Sequence, residues 1–275
     1  MRRALSSFVV CGVLLTTGCA TGGSGDAGAG PAPGVTTRAT PAATPTPTPG
    51  VAASQAVRDA LAATGRTSAR TAVRTELGRG SGPAYVLSGA GVHDFAGDRG
   101  SVSVGLADAV RFDEVFADGR VYVRGEAGGE SVPWSYVDRA DAKARHMLRA
   151  PANDPEYTLR QASMGERFQR IGEEKLGGAA VTRYRGLLPH KALTLEMGEE
   201  TRVKADTLRT YFGGRIPVTV DVWVDGRERA VRVRLSMTVK DVMSAVTTLT
   251  LTELGRPVKV VVPAGATASD ASVLG

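Results

Sequence analysis

The chain has 275 residues, 34 Lys and Arg against 28 Asp and Glu, and a formal net charge of +6. That charge is mild and spread along the chain, with no recognisable motif to cluster it, which excludes a nucleic-acid-binding class. Two cysteines and three histidines leave little for a disulfide framework or a zinc site, so a folded domain here must rest on its apolar core.

Met1-Arg2-Arg3 precedes an apolar run from Ala4 to Leu15. A bilayer-crossing helix needs about 20 apolar residues, so this short run behind two arginines reads as a secretory signal peptide over 1–18. "LTTGC", ending at Cys19, is similar to the bacterial lipobox. That similarity implies cleavage before Cys19 and acylation of its sulfur. Cys11 leaves with the signal peptide and Cys19 carries lipid, so no thiol remains for catalysis. Two or more acyl chains anchor a protein stably, which places it on the extracytoplasmic face of the cell membrane.

Residues 19–50 alternate Gly, Pro and Thr without an apolar period and read as a disordered tether. "GSGDAG" within it matches G-x-G-x-x-G only on paper, having no strand before it and no helix after it.

The folded domain is expected over 51–264, with a disordered tail over 265–275. "VAASQAVRDALAAT" spaces Val57, Ala60 and Leu61 as one helix face. "SARTAVRTEL" then alternates, with Ala69, Thr71, Val73, Thr75 and Leu77 on one side. Short strands follow around Tyr85–His93, Ser101–Leu106, Val110–Phe116 and Arg120–Arg124, separated by turn signals. Trp134 and Tyr136 fall in a loop after Pro133, and "RADAKARHMLR" reads as a basic helix face. Asp154 before Pro155 is a helix start. "VTRYRGLL" reads as a strand. One or two helices follow, carrying Leu193, Met197, Val203, Leu208 and Phe212 and stopping at Gly213-Gly214. "IPVTVDVWVDGRERAVRVRLSMTV" is a hairpin with Ile216, Val218, Val220, Val222 and Val224 on one apolar face. Val231, Val233, Leu235, Met237 and Val239 share that face on the partner strand. "MSAVTTLTLTEL" continues the alternation and "RPVKVVVP" closes the sheet. Strands and helices in this order give an α+β class with a large antiparallel sheet.

These segments carry a resemblance. The lipobox, the Pro/Thr tether, "YVLSGAGVHDF", "GRVYVRG", "VPWSYVD", "TRYRGLL", "IPVTVDVWVDGRERAVRVRLSM" and "LTELGRPVKVVVPAGA" together look like the LppX/LprG-type lipoproteins of high-GC Gram-positive bacteria, relatives of the LolA/LolB-like fold. The resemblance implies a half-barrel, a strongly curved antiparallel sheet with α-helices across its concave face. Several members hold a lipid or glycolipid between helices and sheet, and no motif residue fixes the ligand.

A bent sheet with few covering helices need not fill its interior, and an unfilled apolar gap accepts hydrocarbon. The expected lining is Val57, Leu61, Leu159, Leu193, Leu208 and Phe212 from helices and Val220, Val222, Val233 and Leu235 from strands. The function expected is carriage or presentation of an amphiphile in the envelope, with a transporter or envelope protein as a further partner. The alternative is a ligand-free sensor or scaffold on the same fold. His93, His146 and His190 are isolated in sequence, no G-x-S-x-G or S-x-x-K occurs, and Glu173-Glu174 and Glu199-Glu200 read as solvated pairs. No catalytic residue, metal or cofactor is therefore expected.

Overall fold

A computed structural model describes residues 49–79, 85–106, 110–127, 129–240 and 242–270. The signal peptide, Cys19, nearly all of the tether and residues 271–275 lie outside the described residues. Among the described residues no helix is long and apolar enough to cross a membrane.

Helix α1 (Pro49–Thr64) buries Ala53, Val57, Ala60, Leu61 and Thr64, one stripe at three- and four-residue spacing. Six strands follow as a meander: β1 (Ser68–Arg79), β2 (Tyr85–Asp94), β3 (Arg99–Leu106), β4 (Val110–Ala117), β5 (Arg120–Ala127) and β6 (Glu130–Asp138). An irregular stretch then leads to α2 (Pro155–Ser163), β7 (Glu166–Leu176), β8 (Ala179–Leu187), α3 (His190–Leu193) and α4 (Glu199–Tyr211). The chain finishes with β9 (Val218–Asp225), β10 (Ala230–Val239), β11 (Met243–Thr252) and β12 (Thr267–Ala268).

All twelve strands form one open sheet, ordered β12-β6-β5-β4-β3-β2-β1-β11-β10-β9-β8-β7. Every pairing is antiparallel except β12 with β6. The sheet curls into a half-barrel of the α+β class. Because β6 and β7 stand near opposite ends of this order, the chain between them must cross the sheet. It does so over the concave face, which makes residues 139–165 part of the cover. Leu148 enters the core there, and its carbonyl accepts from Thr247 Oγ1 at 2.6 Å. Thr247 in turn meets Thr75 at 3.0 Å across β11 and β1. Gly91 sits where the curl brings its Cα against Ser101 of β3, leaving no room for a Cβ.

The main core gathers α1, α2, α3 and β9–β11 in one buried apolar cluster, with Tyr184 of β8 packed against it. The expected hairpin is β9–β10, but a bulge between Ala230 and Arg232 shifts its register. Ala230, not Val231, therefore faces inward beside Val224, and Val231 is only half-buried.

Other sequence expectations are corrected. Trp134 and Tyr136 lie on β6, not in a loop, and pack on the convex face with Tyr122, Val115 and Ala117. "RADAKARHMLR" holds a short 3-10 turn at Arg139–Asp141 and buries Ala142, Ala144 and Leu148, so it is cover rather than a solvated helix. Val203 on α4 is exposed. "RPVKVVVP" forms no strand: β1 and β10 already occupy both sides of β11. The segment instead crosses the convex face, where Val260 and Ala266 pack on the Tyr122 cluster, until Thr267–Ala268 pairs with Ser135–Tyr136. The last strand thus lies beyond the boundary expected at Ala264.

Candidate functional site

An apolar opening lies between α1 and α2. It has a volume of about 480 Å3 and is lined by Arg58, Leu61, Ala62, Gly65, Phe95, Glu156, Leu159, Arg160 and Ser163. Its origin is local. Leu61 and Leu159 point into the core from the two helices, while the small residues Ala62, Gly65 and Ser163 leave the space above them unfilled. Phe95, just past β2, forms an apolar end wall. Cations stand on the lining: Arg58 donates to Gln55 Oε1 at 2.9 Å, and Arg160 pairs with Glu196 at 2.9 Å. The groove thus joins an apolar floor to a mixed polar rim of Arg58, Arg160 and Glu156.

The ten residues expected to line a cavity divide clearly. Val57, Leu61, Leu159, Leu193, Val220, Val222, Val233 and Leu235 join one buried cluster, and Leu208 packs against it half-buried. Phe212 is half-buried just past α4, edge-on to Tyr211 with ring centroids 5.3 Å apart. Of the ten, Leu61 and Leu159 border the groove.

No protein-family model matches the chain, and no curated protein matches it. Solved structures are similar to it in fold. LprF from Mycobacterium bovis is 14% identical with a TM-score of 0.46, over 79% of this chain and 99% of that one. The lipoprotein LppX from Mycobacterium tuberculosis is 19% identical with a TM-score of 0.46, over 77% and 99%. A LolA superfamily protein from Nitrosomonas europaea is 9% identical with a TM-score of 0.34, over 75% and 94%.

Beside the groove, and sharing Glu156 with it, is a polar cluster that sequence spacing does not disclose. Arg139 donates to Asp154 Oδ2 from Nε at 3.1 Å and from Nη2 at 2.7 Å, to Glu156 Oε2 at 2.8 Å, and to Asp98. Asp154 Oδ1 meanwhile accepts from the Glu156 N–H at 2.9 Å and caps α2, the helix start expected there. His93 is fully buried between Phe95 and Phe116, with ring centroids 4.7 and 5.8 Å away. Its ring lies against Gly100, where a Cβ would collide with Nδ1. Burial lowers the His93 pKa from its ordinary value and disfavours the charged ring. Burial, with the Asp98 carboxyl next to it, pushes Glu156 up to about 7. His93 is thus not isolated as its sequence neighbourhood suggested: Asp98 is on the following turn and Glu156 comes from α2.

A second buried carboxyl faces the concave side. Glu114 on β4 accepts from Asn153 Nδ2 at 2.9 Å, and burial still drives its pKa up to about 8. His190, expected to be isolated, bonds Asp206 at 2.6 Å and ties α3 to α4.

Proposed function

We propose that this chain is a lipoprotein, held on the extracytoplasmic face of the cell membrane by acylated Cys19, that takes the acyl part of a lipid, glycolipid or other amphiphile into the groove between α1 and α2. The observation that carries this reading is the groove: a floor of Leu61 and Leu159, an end wall of Phe95, and unfilled space beside Ala62, Gly65 and Ser163, with Arg58 and Arg160 at the rim. No bond is broken. Withdrawing a chain from water is worth about 0.8 kcal/mol per buried methylene, which is sufficient for carriage or presentation. A transporter or another envelope protein would receive the guest. The Pro/Thr tether supplies the reach between anchor and domain.

A second reading is a tethered sensor or scaffold that binds a protein partner and no lipid. It is favoured by the tight burial of eight of the ten expected lining residues in one cluster. Native mass spectrometry of the full chain from a lipid-rich host separates the two. Carriage predicts an additional non-covalent mass of an acyl-bearing molecule beyond the protein's own acylation. A bare chain under every gentle condition supports the scaffold.

A further inference from the structure

Asp98, Asp154 and Glu156 bring three carboxyl groups to the single guanidinium of Arg139. Asp154 is committed through both oxygens, to the α2 cap and to Arg139. Asp98 and Glu156 each present one oxygen to Arg139, which leaves the other oxygen of each free of that guanidinium. His93 adds an independent sign. Its side chain is completely buried and neither ring nitrogen has a hydrogen-bond partner. Buried polar atoms are almost always satisfied, and a nitrogen left bare in a core is costly. One ring nitrogen of His93, one oxygen of Asp98 and one of Glu156 all lie within 4.8 Å of one another.

We propose that His93, Asp98 and Glu156 form a divalent-cation site whose donor set suits Zn2+. One imidazole and two carboxylates are a three-ligand zinc set with a fourth position open to water or a guest. Bonds of about 2.1 Å place tetrahedral donors roughly 3.4 Å apart, so atoms now within 4.8 Å of one another need to draw in by up to about 1.4 Å. Asp98 sits in the exposed turn between β2 and β3 and can make that move. The ion gives the bare His93 nitrogen a partner. Arg139 then holds the two carboxylates from outside, as the surrounding shell of a metal site does. Glu156 also lines the groove, so the bound ion borders the place where a guest would lie.

The test is calorimetric titration of the chelator-stripped full chain, in detergent, with Zn2+ alone. One ion per chain at micromolar affinity is expected, with at least about tenfold weaker binding in both Asp98→Asn and Glu156→Gln. His93 lies in the core and its replacement risks the fold, so the two carboxylate variants carry the test. Their thermal unfolding reports that they are folded. Co2+ in place of Zn2+ should show bands of a nitrogen–oxygen donor set without thiolate absorption. No stoichiometric uptake by the wild-type chain, or uptake undiminished in either variant, overturns the site.

Discussion

Asp221→Ala is expected to lower the unfolding free energy by about 3–5 kcal/mol. Asp221 stands on the convex face of β9 yet is only 1% exposed. Its Oδ1 accepts from Arg183 Nε and Arg185 Nε, both at 2.9 Å, and its Oδ2 from Arg185 Nη2 at 3.1 Å. Arg183 continues to Glu174 at 3.1 Å and stacks over Trp223 at 5.0 Å. The Trp223 indole donates to Glu174 at 2.8 Å. This network ties edge strand β7 and its neighbour β8 to β9. Alanine would leave the mostly buried Arg183 guanidinium with Glu174 as its remaining carboxylate and a second cation, Arg185, beside it. At roughly 2–4 °C per kcal/mol for a domain of this size, Tm should fall by about 10 °C. Arg185→Ala should cost far less, because Arg185 is half in water and Arg183 keeps the carboxylate paired. Equal losses in the two variants would contradict this assignment, and thermal melts measure both.

Glu114→Gln is expected to reverse a pH penalty. Folded Glu114 keeps its proton up to about pH 8, whereas in the unfolded chain it ionises near its ordinary 4.5. A raised folded-state pKa means that the contribution to stability is whole below 4.5, erodes as pH rises, and is gone above 8. Glutamine keeps the oxygen that accepts from Asn153 and never ionises. Wild type and variant should therefore melt together at pH 4, while at pH 9 the variant should be roughly 3–5 kcal/mol more stable. Melting curves across that range that remain parallel would show that Glu114 does not hold its proton in the fold.

How far the sequence discloses this molecule depends on whether an element has a dry side. Strands β1, β9, β10 and β11 do, and their alternation of Val and Leu with Thr and Arg is plain in the chain. Strand β7 does not. "ERFQRIGEEKL" is an edge strand whose residues are mostly exposed, with Phe168 the buried exception, so no period of two marks it. "RPVKVVVP" misleads in the opposite sense: it has strand residues but no free strand beside β11 to join. The expected lining valines are inward-facing, as alternation requires, but alternation cannot distinguish a packed interior from a vacant one. The groove is set by Ala62, Gly65 and Ser163, residues legible only as gaps once two helices are laid side by side. Tertiary contact likewise makes the His93 cluster, since Glu156 reaches it from α2 on the far side of four intervening strands of sequence.

If the acyl chain lodges in the groove between α1 and α2 as proposed, Ala62→Trp takes away its seat. Ala62 is exposed and lines the groove without entering the core, so an indole there fills the space and spares the fold. Fluorescence titration of the full chain with a fatty-acyl probe should show saturable binding by wild type. The tryptophan variant should bind at least about tenfold more weakly with an unchanged Tm. A variant that binds the probe as well as wild type, or a wild-type chain that does not bind it at all, would show that the groove is not an acyl site.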